Sequence, residues 1–337
     1  MHHTASPIAA AVSGEPSHQV LEQAAEWYAL LRSGDATDSD RTHWQAWLAQ
    51  QPQHRQAWHC VEQISNRFES LQDTPDPRRT AEGLWTANER LIKRRRLLRG
   101  SAIVAGTALL GWQTLPPSSL PRLARAWSAG HRSATGEIRS LVLADGTQVW
   151  LNTAAAFDEH YDINQRLLQL WAGEILIATA GDAQRPFLVA TPQGRLRALG
   201  TRFTVRLEET QTLLAVFEGA VEITTASGAT SVVEAGQQRR FSTTALASAE
   251  PADLAREAWR DGILVARDIP LREVVGELRR YRRGYLGLAP EVAELRVFGN
   301  FPLHDPDAAL DLLGYALPIR VRRTLPWWAS IDAAVMP

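Results

Sequence analysis

Residues that could do chemistry are sparse in this chain of 337 residues. Only three of its nine histidines follow residue 121, namely His131, His160 and His304. None lies in an Asp, Ser or Cys cluster that would make it a general base. The single cysteine, Cys60, falls amid helical spacing and reads as a small core residue. No spacing suits a metal ion, no Gly-rich turn suits a phosphate, and no dinucleotide fingerprint appears, so neither metal nor cofactor is expected. An enzyme acting on external substrates is therefore the least favoured class. What does cluster is positive charge. Arg90, Lys93, Arg94, Arg95, Arg96 and Arg99 put six cations into ten residues. The net charge is −1, so the whole chain has no bias toward nucleic acid. The cluster reads instead as a membrane-topology signal.

The element beside the cluster supports that reading. Residues 100–121, Gly100 to Pro121, hold no charged side chain over 22 positions. Charge is costly in a bilayer, so the run is a candidate for one transmembrane helix. The cations in front of it place the N-terminus on the cytoplasmic side and the long C-terminal part outside. Arg94-Arg-Arg-Leu-Leu-Arg99 also resembles a twin-arginine export signal. Pro116 and Pro117 shorten the helix to about 16 residues, or roughly 24 Å against a ~30 Å core, which leaves a buried helix as the bland reading. Met1 to Gly14 lacks the basic start and long apolar core of a signal peptide.

Before the cluster the chain reads as helical. Leu21, Ala24, Ala25, Tyr28 and Leu31 recur at 3–4 spacing, and Gly34 can stop that helix. Thr37 and Asp40 resemble an N-terminal cap, and Pro52 fits the first position of a third helix. The resulting all-α bundle, residues 15–72, holds Trp27, Trp44, Trp47 and Trp58. These either fill its core or leave an aromatic face, with Leu48, for a partner. Residues 73–99 are a polar, proline-bearing linker and the basic segment. Beyond the apolar run the period becomes two. Short segments punctuated by glycines, with an Asp145-Gly146 hairpin signal, predict an antiparallel all-β domain over 130–245. The chain ends, over 258–325, in strand–helix–strand repeats, a small α+β module. Trp259 to Asp268 reads as its first strand and Ile319 to Arg323 as its last.

The β segment resembles the FecR family of transmembrane anti-sigma factors. The likeness runs through Leu143-Ala-Asp-Gly-Thr147, Leu151-Asn152, Arg166-x-Leu-x-Leu170, Gly173-Glu174 and Arg185-Pro-Phe-x-Val189. It continues through Thr191-Pro-x-Gly194, Leu199-Gly-Thr-x-Phe-x-Val205, Val216-x-Glu-Gly-x-Val221 and Ala235-Gly-Gln237. Each piece is weak alone, and the order and spacing together are specific. The helical start resembles that family's anti-sigma domain through Trp44-x-x-Trp-Leu48 and Pro52-x-His-x-x-Ala-Trp58. The end resembles the secretin/TonB short N-terminal domain through Trp259-x-x-Gly-x-Leu264 and Pro270-Leu271-x-Glu-Val274.

The resemblance implies two protein partners and a relay between them. A TonB-dependent outer-membrane receptor for an iron–siderophore would contact the C-terminal module, here at Trp259, Gly262, Leu264, Pro270 and Leu271. The inner helical domain would hold an extracytoplasmic-function sigma factor, here at Trp27, Trp44, Trp47, Leu48 and Trp58. Some family members cut themselves at a matching Gly-Thr bond, which here is Gly200-Thr201. There the Thr201 hydroxyl would attack the Gly200 carbonyl and turn the amide into an ester that water hydrolyses. A glycine leaves its carbonyl open, but a threonine hydroxyl is a weak nucleophile, and the sequence identifies no base. A second class stays open: a membrane-anchored periplasmic binding or scaffold module with no sigma partner.

Overall fold

The computed structural model describes residues 15–72 and 120–334. Most of the charge-free run, and Arg94, Arg95, Arg96 and Arg99, lie outside the described residues. Within those, no helix is long and apolar enough to cross a membrane. The helices are α1 (His18–Arg32), α2 (Asp38–Gln50), α3 (Pro52–Gln72), α4 (Leu120–Ser128), α5 (Leu271–Tyr281) and α6 (Pro306–Ala316). The strands are β1 (His131–Arg132), β2 (Arg139–Val142), β3 (Gln148–Leu151), β4 (Ala156–Tyr161), β5 (Arg166–Ala172), β6 (Glu174–Ala178), β7 (Phe187–Thr191), β8 (Gly194–Ala198), β9 (Arg202–Leu207), β10 (Thr212–Glu218), β11 (Ala220–Thr225), β12 (Thr230–Glu234), β13 (Gln237–Phe241) and β14 (Glu250–Pro251). They continue as β15 (Ile263–Pro270), β16 (Tyr285–Leu288), β17 (Arg296–Pro302), β18 (Ile319–Leu325) and β19 (Trp328–Ala333). The described residues form two compact units, one within 1–74, 268–297 and 310–337 and the other within 75–267 and 298–309.

In the first unit, local chemistry starts each helix where the sequence suggests. The Ser17 hydroxyl accepts from the Val20 amide to cap α1, and Thr37 with Asp40 closes a capping box on α2. Pro52 opens α3, where its missing N–H costs nothing. Ala24, Ala25 and Tyr28 of α1, Trp47 of α2, and Ala57 and Val61 of α3 share one apolar core. The same core contains Trp327 and Trp328 from the far end of the chain. Trp328 opens β19 and Trp327 lies on the turn before it, in a three-stranded sheet ordered β16-β19-β18, with β16 parallel and β18 antiparallel to β19. Helix α5 buries Leu271, Val274, Val275 and Leu278, the apolar stripe its spacing predicts.

The second unit is built on two seven-stranded sheets, ordered β1-β4-β5-β7-β8-β11-β12 and β14-β13-β10-β9-β6-β3-β2. Their inward residues, among them Phe157, Leu168, Leu170, Ile175, Phe187, Phe203, Leu214 and Val221, form one core. Alternation along β5 buries Arg166, Leu168 and Leu170, and the residues between them are less buried. The antiparallel expectation needs one correction. Strands β5 and β7 pair in parallel, because β6 crosses to the opposite sheet between them.

Three further differences concern single elements. Trp259 lies on a 3-10 helix, Leu254–Asp261, rather than a strand; Gly262 ends it at φ +75°. Strand β4 reads AFDEHY, whose polar run hides its alternation. Strands β16 and β19 extend the module at positions where the sequence shows no strand signal, and β19 runs past the expected end at 325.

Candidate functional site

The proposed sigma-binding residues all belong to, or pack against, one core. Trp47 is buried, stacks on His54 with ring centres 4.4 Å apart, and donates through its indole Nε1 to Gln23 Oε1 at 3.2 Å. Trp44 and Trp58 pack at 4.8 Å, and Trp58 meets Tyr28 at 5.6 Å. The Tyr28 hydroxyl donates to Ser65 Oγ at 2.7 Å and ties α1 to α3. These tryptophans and Leu48 therefore first hold three short helices together. The face that remains is narrower than expected. Trp27, Leu30 and the edge of Trp47 line a shallow depression of about 420 Å³, rimmed by Gln23 and Glu26. Cys60 is exposed rather than in the core, because Val61 takes the inward position beside it. Partial desolvation and Glu15 raise its thiol pKa, so it stays protonated at neutral pH.

The Gly200–Thr201 bond joins β8 to β9. Gly200 has φ +75°, and Thr201 is buried. The Thr201 amide donates to Thr179 Oγ1 at 2.9 Å, and its carbonyl accepts from the Thr179 amide at 3.0 Å. Thr201 Oγ1 is buried with no hydrogen-bond partner. A side chain on Gly219 would put its Cβ 2.3 Å from the Gly200 carbonyl oxygen, so only glycine allows this approach. The peptide is thus clamped on both sides and its hydroxyl is unengaged, with no base bonded to it.

The proposed receptor contacts are mostly structural here. Trp259 is buried, and Gly262 turns the chain with its amide bonded to the Ala258 and Trp259 carbonyls. Pro270 occupies the N-cap position of α5, and Leu271 is fully buried. Trp259, Gly262 and Leu264 belong to one unit and Pro270 and Leu271 to the other. Exposed apolar side chains nearby in sequence are Ile263, Phe298, Leu312 and Tyr315.

One cluster went unread in the sequence. Glu22 of α1 is 4% exposed and accepts from Trp328 Nε1 at 2.8 Å and Ser330 Oγ at 2.9 Å. Arg322 donates to Glu22 and to Glu26, each at 3.1 Å, and pairs with Asp332 at 3.0 Å. His18 meets the other Asp332 oxygen at 2.8 Å. Desolvation opposes the Arg322 charge, but Asp332, Glu22 and Glu26 outweigh it and raise its pKa. Burial, aided by Glu22, pushes the Tyr285 hydroxyl up to about 12. A Glu inside an amphipathic stripe looks like any exposed helical Glu until its partners, some 300 residues away, are known. Among the described residues no three His, Cys, Asp or Glu side chains gather to hold a metal ion.

Comparison with known proteins agrees with this layout. Residues 130–222 match the family described as FecR protein, and residues 22–64 match a domain of unknown function, DUF4880. Two crystal structures of a candidate anti-sigma factor from Parabacteroides distasonis, at 1.65 and 2.50 Å resolution, share the fold, each with a TM-score of 0.51 and 23% identity. They cover 60% of this chain and 98% and 97% of their own. No curated protein matches the chain.

Proposed function

We propose that this chain, whose residues 130–222 match the FecR protein family, is an anti-sigma factor that relays a signal to a cytoplasmic extracytoplasmic-function sigma factor. One observation carries the reading. A tryptophan-rich helical domain and a FecR β domain share a single chain, with six cations and a charge-free run between them. In this proposal the run crosses the inner membrane once, N-terminus inside. The Trp27–Leu30 depression takes an apolar side of the sigma factor. The C-terminal module meets the signalling domain of a TonB-dependent receptor, and iron–siderophore uptake genes are the output.

The test is co-purification of the full chain with sigma factors encoded in the same genome. Trp27→Ala should weaken capture at least tenfold while helical circular dichroism is unchanged. Loss of binding only when helix is also lost would refute the assigned face. Reporter fusions after Gly130 test the topology, since only periplasmic reporters should be active there.

Self-cleavage at Gly200-Thr201 belongs to the same proposal. The buried, unengaged Thr201 hydroxyl and the left-handed Gly200 before it support it. Thr201→Ala should leave one full-length band in a denaturing gel and Thr201→Ser should still give two. A wild-type chain that stays whole in a protease-free synthesis rules it out.

A further inference from the structure

The geometry points to Thr179 as the residue that positions Thr201 for attack on the Gly200 carbonyl. The inference rests on the self-cleavage reading above and adds a residue to it. Thr179 follows β6 and stands opposite Thr201, one step beyond the Ala178–Arg202 pair of the antiparallel β6–β9 ladder. In a regular hydrogen-bonded pair of this kind the two residues exchange two backbone bonds. Here one of the two is kept, from the Thr179 amide to the Thr201 carbonyl at 3.0 Å. The Thr201 amide, which holds the nitrogen of the scissile bond, donates instead to Thr179 Oγ1 at 2.9 Å. That hydroxyl directs its own proton to the Thr201 carbonyl at 3.2 Å. One residue thus holds Thr201 on both sides of its Cα. A further hold comes from the turn between β10 and β11. A Cβ on Gly219 would lie 2.9 Å from Thr201 Cγ2, so the glycine leaves the space that the methyl group fills. With backbone and methyl held, Thr201 Oγ1 stays buried without a hydrogen-bond partner.

The step this serves is an N–O acyl shift. A bond forms between Thr201 Oγ1 and the Gly200 carbonyl carbon, and the Gly200–Thr201 C–N bond breaks. The hydroxyl proton ends on the Thr201 nitrogen, which becomes a free amine. Water then splits the ester into a Gly200 carboxylic acid and the restored hydroxyl. The nitrogen changes from planar to tetrahedral as it leaves. A nitrogen bonded to a strand carbonyl would drag the ladder with it, whereas a hydroxyl follows by turning about its own χ1. Because the Thr179 proton already faces the Thr201 carbonyl, Thr179 is a positioning residue and not the acid that protonates the nitrogen.

The test times the appearance of two bands in a denaturing gel after protease-free synthesis of the full chain. Thr179→Val keeps the shape and removes the hydroxyl, and should slow cleavage about tenfold or more. Thr179→Ala removes the hydroxyl without a branch at Cβ and should be as slow. Thr179→Ser keeps the hydroxyl and should cleave at close to the wild-type rate. Hydroxylamine adds a readout that a purely structural role would not move, because it captures the ester as a hydroxamate on Gly200. The trapped fraction should fall in Thr179→Val and persist in Thr179→Ser. Folding is followed apart from cleavage in a Thr201→Ala background, where the Thr179 variants should keep a cooperative thermal transition. Wild-type rates in both Thr179→Val and Thr179→Ala, or cleavage lost in Thr179→Ser as well, overturn the role of Thr179 and leave the self-cleavage reading standing. A wild-type chain that stays whole removes both.

Discussion

Asp145 and Arg166 meet at 2.8 Å with each side chain 4% exposed, so neither charge can turn to water instead. Their other bonds complete the pair. Asp145 accepts from the Thr147 amide and hydroxyl, and Arg166 donates to the Ala180 and Arg185 carbonyls. Asn152 and Glu174 make a second buried contact at 2.9 Å. The motifs that carry the family likeness, Leu143-Ala-Asp-Gly-Thr147 with Arg166 and Leu151-Asn152 with Gly173-Glu174, are thus halves of buried polar joints. Removing one partner strands the other, so Asp145→Ala should cost the β domain about 3–5 kcal/mol in urea unfolding. The pH dependence has a definite sign. Burial would raise the Asp145 pKa, but bonds from Thr147 and Arg166 bring it below the ordinary 3.8. Its contribution is then complete above the unfolded value and disappears as pH falls through the lower folded one. Acid titration from pH 5 downward should show this loss in the wild type and not in Asp145→Asn.

At the level of elements, the join between α5 and the C-terminal sheet depends on Gly284. Its φ is +94°, and a Cβ there would lie 2.2 Å from the Trp327 carbonyl oxygen. Gly284→Ala should destabilise by about 2 kcal/mol or more, by left-handed strain plus the clash. Thermal unfolding followed by tryptophan fluorescence checks this. Elements such as α1, α2, α3, α5 and β9 are legible in the sequence because each carries its own cap, stripe or alternation. Helix α5, for instance, shows Leu271, Val274, Val275 and Leu278 at helical spacing. What the sequence hides is set by partners distant along the chain. Strand β16 is four residues, too short for a period, and forms because β19 pairs with it. The tryptophans show the same limit. Their number announces either a core or an interface, and only the packing of Trp44 on Trp58 and of Trp47 on His54 shows how much of each is taken by core.

Over the whole molecule, the proposed topology and the packing of α1 on β19 describe two states of one chain. Fractionation therefore distinguishes them. A photo-reactive p-benzoylphenylalanine at Gln19, which lines a cleft with Ala289, Arg322 and Asp332, should cross-link to 285–334 in soluble chain and not in chain inserted in the membrane. Cross-linking of equal yield in both fractions would mean that the apolar run does not separate the two ends.

Glu22 and Trp328 are 306 residues apart. That separation also sets an order in time. At ~5–20 residues per second, a ribosome takes roughly 15–60 s to deliver Trp328 after Glu22 has been made. During that interval the first three helices are complete in sequence but lack two of their core tryptophans, and Glu22 lacks the partners that β19 supplies. A partner that recognises the unfinished bundle has its best access then, while the chain is still being synthesised. Ribosome-bound chains stalled at residue 130 should capture such a partner faster than the released protein does.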